Sequence, residues 1–150
     1  MDATTDLAGD VFRVVGRFRR QLRRAAGRGF DTDGLTQSQV ELLRLVGRQP
    51  GISVREAATE LALVPNTTST LVTKSVADGL LVRTVDPDDR RVGRLRLTEP
   101  AQAIADESRA ARRTTLAAVL DQLDPDERDD LARGLAVLAR MTRILQQQAL

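Results

Sequence analysis

Between Ser53 and Thr98 the chain reads SVREAATELALVPNTTSTLVTKSVADGLLVRTVDPDDRRVGRLRLT. Ser53, with Glu56 three residues later, has the form of a capping box, in which hydroxyl and carboxylate each satisfy the other residue's backbone amide. A short helix is therefore predicted from about Val54 to Leu61. Ala62, Leu63 and Val64 leave room only for a corner. Pro65 suits the first position of a helix because it has no amide hydrogen to leave unpaired, and the next helix is predicted to run to about Asp78, capped by Gly79. Leu80 to Val85 then carries the β-branched enrichment of a strand, Asp86-Pro87-Asp88-Asp89 is a turn cluster, and Arg94 to Leu97 alternates arginine with leucine. Helix, corner, helix and hairpin, in that order, make a winged helix-turn-helix.

The second of these helices is a poor design for stability. Four threonines and a serine lie between residues 67 and 73, types that lose rotamer freedom or compete for backbone hydrogen bonds. Thr68, Leu71, Val72 and Val76 are predicted to face the core, leaving Asn66, Thr67, Thr70, Thr73 and Lys74 on other faces. Hydroxyls and amides on an exposed helix can read base edges in the major groove of DNA. Beside them, Arg90 and Arg91 near the hairpin tip, with Arg94 on the following strand, can enter the narrow minor groove, whose negative potential attracts guanidinium. Ser53 and Arg55, at the start of the preceding helix, are candidate phosphate contacts. Each signal has a blander reading: a threonine-rich helix is more often a structural oddity, and a hairpin arginine is usually solvated or paired, here with Asp86, Asp88 or Asp89. Their combination points to double-stranded DNA.

The flanks are helical. Leu7, Val11, Val14, Val15, Phe18, Leu22 and Ala25 recur at steps of three and four, predicting an amphipathic helix over about 5–28, whose other face carries Arg13, Arg17, Arg19, Arg20, Arg23, Arg24 and Arg28. A run of arginines like this is more often a solvated face than a DNA contact. Thr36 and Gln39 form a second capping box opening a helix buried through Leu42, Leu43, Leu45 and Val46. After Thr98 another long helix is predicted, ending near Leu123. Asp124-Pro125-Asp126-Glu127 then starts a last one whose Leu131, Leu135, Leu138, Met141 and Leu145 approach a heptad seam. Such a seam suits a partner subunit as well as the chain's own core.

Composition narrows the chemistry. The 150 residues suit a single domain, and 41% hydrophobic content is enough for a core. No run is long and apolar enough to span a membrane, and the acidic N-terminus lacks the basic and apolar regions of a signal peptide, so a cytoplasmic protein is expected. Without cysteine or histidine there is no thiol switch, no thiolate metal site and no histidine base; no other catalytic pair or metal-ligand spacing is evident, so neither enzyme nor cofactor is expected. The net charge is only +2, and the arginine excess over the single lysine, Lys74, fits the codon bias of a GC-rich genome as well as it fits DNA binding.

With these residues in view, the sequence resembles the MarR-type transcriptional regulators. Asp89-Arg90-Arg91 followed after five residues by Leu97-Thr98 matches that family's wing signature, and Gly79-Leu80-Leu81-Val82-Arg83 matches its Gly-Leu-Val-x-Arg turn, with Leu81 in the valine position. The resemblance implies a mainly α fold with a small β wing, with a DNA-binding winged helix-turn-helix at about 35–98 and long dimerisation helices at about 5–28 and 100–147. It implies a homodimeric regulator, expected to repress a pseudopalindromic operator with half-sites about 34 Å apart. Many such regulators release DNA on binding a small, often anionic aromatic ligand. Phe18, Arg20 and Phe30 are candidates to line a cleft for it, although packing is the stronger reading for them. Carried over by position, Ser69 and Thr70 match residues that touch phosphate or bases, Arg91 the arginine that enters the minor groove, and Asp89 the acid that braces the wing. Ala62 stands where glycine is common, Val64 where serine or threonine caps the recognition helix, Ser75 where leucine is common, and Pro100-Ala101 interrupts the usual Leu-Thr-x-x-Gly ending. Two other readings stay open: a winged helix serving as a protein-interaction module, and a transcriptional activator without small-molecule control.

Overall fold

The computed structural model describes residues 3–27, 29–30 and 34–149. Six helices and two strands follow in the order α1 (Ala3–Ala26), α2 (Gln37–Arg48), α3 (Val54–Leu61), α4 (Pro65–Ala77), β1 (Leu81–Val85), β2 (Gly93–Leu97), α5 (Glu99–Leu120) and α6 (Pro125–Gln148). Arg28, expected at the end of the first helix, lies outside the described residues. Among the described residues no helix is long and apolar enough to cross a membrane.

Each capping box read from the sequence is formed. Thr36 Oγ1 accepts from the Gln39 amide at 3.2 Å while the Gln39 side chain accepts from the Thr36 amide at 3.3 Å. Ser53 and Glu56 do the same at 3.1 and 2.9 Å, and Asp124 and Glu127 at 2.8 and 3.0 Å. Each pair fills two orphan amide donors of a helix start. Thr98 acts in two directions: its Oγ1 accepts from the Ala101 amide, opening α5, and donates to the Gly79 carbonyl at 2.8 Å.

The core gathers around α2. Val40, Leu42, Leu43, Leu45 and Val46 pack with Phe30, Ile52, Ala57, Val72, Leu81, Leu95, Ala101 and Ala105. Phe30 is thus a core residue, whereas Phe18 is half exposed on α1. The strands pair antiparallel, Leu81 opposite Leu97 through Val85 opposite Gly93. On the outer edge of β2 the Gly51 amide donates to the Leu95 carbonyl at 2.8 Å and the Leu95 amide to the Ile52 carbonyl at 2.9 Å, which pins the hairpin to the entrance of α3. The side chains of α4 depart from expectation in one respect. Ser75 is fully buried while Val76 is 41% exposed, because positions 68, 72 and 75, at steps of four and three, form the inward line of this helix.

Neither α1 nor α6 contains a buried residue. Their apolar stripes, including Phe12, Val14 and Phe18 on α1 and Leu131, Leu135, Met141 and Leu145 on α6, stand in solvent in the single chain.

Candidate nucleic-acid interface

The corner between α3 and α4 turns on Ala62, which adopts the left-handed conformation (φ 54°, ψ 41°) that glycine takes without strain. The Leu63 amide closes back onto the Ala58 carbonyl at 2.9 Å, completing a tight helix end. Val64 follows as the N-terminal cap of α4 and supplies no side-chain hydrogen bond, and Pro65 occupies the first turn. The recognition-helix candidate thus begins without the side-chain cap that α2, α3, α5 and α6 each have.

With Thr68, Val72 and Ser75 turned inward, Asn66, Thr67, Thr70, Thr73 and Lys74 are all exposed, and Ser69 is half-buried at the margin. Thr70 Oγ1 donates to the Asn66 carbonyl and Thr73 Oγ1 to the Ser69 carbonyl, both at 3.0 Å. This is how threonine survives in a helix interior: its hydroxyl hydrogen goes to the carbonyl one turn back.

The wing is organised by Asp86, one of the three turn carboxylates named above as possible partners of a hairpin arginine. Its Oδ1 accepts from the amides of Asp88 at 2.8 Å and Asp89 at 3.2 Å, and its Oδ2 accepts from Arg94 Nε at 2.8 Å. The Arg94 guanidinium, followed by the Asp88 amide, holds the Asp86 carboxyl below the usual aspartate range. Arg94 also lies 3.5 Å from Glu56 and donates to the Gly51 carbonyl at 3.4 Å. The Glu56 carboxyl is itself held low, first by the Ser53 amide and then by the Ser53 side chain. Arg94, expected as a DNA contact, lies half-buried between the wing and α3, with Asp86, Glu56 and the Gly51 carbonyl beside its guanidinium. Ser53, expected on phosphate, is buried and its hydroxyl caps α3. Arg55 is exposed on the first turn of α3.

At the tip, Arg90 and Arg91 are exposed, the Arg91 side chain at 92%. Asp89 accepts from the Arg91 amide at 3.1 Å and from its Nε at 3.3 Å, so the carboxylate holds the base of that arginine while its far end stays in solvent. Arg83 on β1 is a further exposed wing cation absent from the expected set; its guanidinium lies over Gly93, where an added Cβ would meet Nε at 2.5 Å. The pairing of Gly93 with Val85, two residues from Arg83 on the same face of β1, was the available signal, but it depends on register. Among the described residues no group of three or more acidic side chains could hold a metal ion.

An uncapped helix carrying small polar side chains beside a braced hairpin with two exposed tip arginines defines the winged helix-turn-helix class. Residues 33–92 match the family model described as MarR family. Solved structures share the fold: FabT of Streptococcus pneumoniae in complex with DNA has a TM-score of 0.74 at 18% identity, covering 95% of this chain and 96% of its own. A MarR-like regulator of Thermotoga maritima gives 0.71 at 20% identity, covering 94% and 96%. PcaV of Streptomyces coelicolor, in complex with its natural ligand, gives 0.61 at 24% identity, covering 93% and 97%. No curated protein matches the sequence.

Proposed function

We propose that the protein is a homodimeric, sequence-specific DNA-binding transcriptional regulator that represses a pseudopalindromic operator. The observation that carries this reading is the pairing of an exposed, uncapped α4 face, Asn66 to Lys74, with a wing whose turn is held by Asp86 and whose exposed tip arginine Arg91 is braced by Asp89. The first amides of α4, having no side-chain cap, suit a phosphate oxygen. Thr67, Thr70, Thr73 and Asn66 face base edges, Ser69 and Lys74 the backbone, Arg55 a flanking phosphate, and Arg90 and Arg91 the minor groove. FabT, similar in fold, is seen with DNA.

Dimerisation follows from the exposed apolar stripes of α1 and α6, which a second copy would cover. The whole of 1–150 then acts as one unit, its outer helices setting the separation of two wings, and it works in the cytoplasm where its DNA lies. PcaV carries a ligand, and by that likeness we extend the proposal to relief of repression by a small molecule.

A gel-shift titration on fragments of the neighbouring promoters tests DNA binding. The logarithm of affinity should fall linearly with the logarithm of salt concentration, with a slope near 0.9 per phosphate contacted, and Arg91→Ala should weaken binding while the dimer stays folded. A flat salt dependence on every fragment would instead favour a protein-interaction module. A promoter reporter separates repressor from activator by whether deletion of the regulator raises or lowers transcription.

A further inference from the structure

The outermost line of α4 is Asn66, Thr70, Thr73 and Ala77, spaced four, three and four residues apart and exposed throughout. Its chemistry is narrower than a row of hydroxyls suggests. A threonine hydroxyl has one hydrogen, and in Thr70 and Thr73 that hydrogen is already given to the carbonyls of Asn66 and Ser69. What these two side chains have left for a ligand is oxygen lone pairs and a methyl group.

The major groove distinguishes base pairs by donors, acceptors and the thymine methyl. Guanine presents only acceptors there, N7 and O6, so neither threonine can bond to it without breaking its bond to the helix. Cytosine offers a donor but no methyl. An A·T pair alone offers both partners the threonines can use, the adenine N6 hydrogens for the lone pairs and the thymine methyl for the side-chain methyl. Asn66 adds the amide that pairs with adenine N6 and N7, and Ala77 adds a second apolar contact. Arginine, the usual reader of guanine, is absent from α4, whose one cation is Lys74.

We infer that the outer line of α4 reads A·T pairs in the major groove, through acceptor and methyl contacts from Thr70 and Thr73 and an amide contact from Asn66, and selects against guanine beneath the two threonines. The inference rests on the DNA-binding reading above.

Selection of duplexes from a random pool by the full-length protein tests it, followed by affinity measurements on the selected site with single thymines replaced by deoxyuridine, which removes only the major-groove methyl. A·T pairs should be enriched, and deoxyuridine under either threonine should weaken binding about fourfold, the worth of one buried methyl. Thr70→Val, which keeps a methyl, should retain that sensitivity. Thr70→Ser, which keeps only the hydroxyl, should lose it, and Arg91→Ala, acting in the minor groove, should leave it unchanged. Circular dichroism checks that each variant is folded. Guanine enriched at the steps whose preference changes with Thr70 or Thr73, or indifference to deoxyuridine throughout, overturns the inference while leaving DNA binding intact. A pool from which no sequence is enriched overturns the DNA-binding reading and this inference together.

Discussion

The winged unit and the outer helices solve opposite problems. Among the described residues, every buried apolar residue lies between Phe30 and Ala105, so α2, α3, α4, the hairpin and the first turns of α5 complete one another. In contrast, α1 and α6 are as long as any helix here, yet neither contains a fully buried residue, and α1 is only partly covered where it packs on α5. Isolated helices gain most of their stability from a packed face. The winged unit supplies its own; the exposed apolar stripes of α1 and α6 are the faces that the proposed second copy would cover.

That contrast can be broken from either side. The largest effect is expected from Leu42→Ala, which removes a fully buried side chain from the centre of α2. It should destabilise the protein by about 2–5 kcal/mol in a urea titration, taking the winged unit down with it. Leu135→Asp, in the exposed stripe of α6, should weaken self-association by roughly 100-fold, about 2.7 kcal/mol, in sedimentation equilibrium. The amide spectrum of the winged unit should survive; its collapse would show that α6 supports the core after all.

Smaller changes sharpen the picture inside the winged unit. Arg94→Ala should cost about tenfold in operator affinity, roughly 1.4 kcal/mol, by loosening the hairpin, although Arg94 is itself occupied by Asp86, Glu56 and Gly51. Preserved affinity would show that the wing needs no brace. Ala62→Gly should raise stability by about 0.5–1 kcal/mol, since relief of the left-handed strain exceeds the entropy glycine adds to the unfolded chain. The least effect is expected from pH. Because the folded state lowers the Asp86 pKa from its ordinary 3.8, the Asp86–Arg94 tie contributes fully above that value and is lost as pH falls through the lower one. The Arg94 Nε proton should therefore keep its protected NMR signal at neutral pH and lose it only below about pH 4.

Much of this was legible in the sequence because the signals were local. Capping boxes at Thr36 and Ser53, the cap and proline at Asp124-Pro125, the proline starting α4 and the Asp86-Pro87 turn each span four residues or fewer, and each produced the element it announced. The orientation of α4 was less legible: Val76 is the more apolar residue, but packing against α2 and α3 selects Ser75 for the interior, where its hydroxyl has no hydrogen-bond partner. The role of Arg94 depends on Glu56, 38 positions away, and on a hairpin register that closes onto Asp86. Alternation correctly marks Arg94 as a strand residue but is silent on which acceptors wait beside it.

One hydroxyl joins the two regions mechanically. Thr98 Oγ1 is bonded both to the Gly79 carbonyl, just past the end of α4, and to the amide that opens α5. Helix α5 has 22 residues and is about 33 Å long, so Thr98 sits at the short end of a lever. A sideways displacement of about 3 Å at the far end of that helix corresponds to a tilt of only about 5° at Thr98, where the loop behind α4 is riveted. A displacement at the far end of α5 would thereby reach the loop behind α4 as no more than a small rotation.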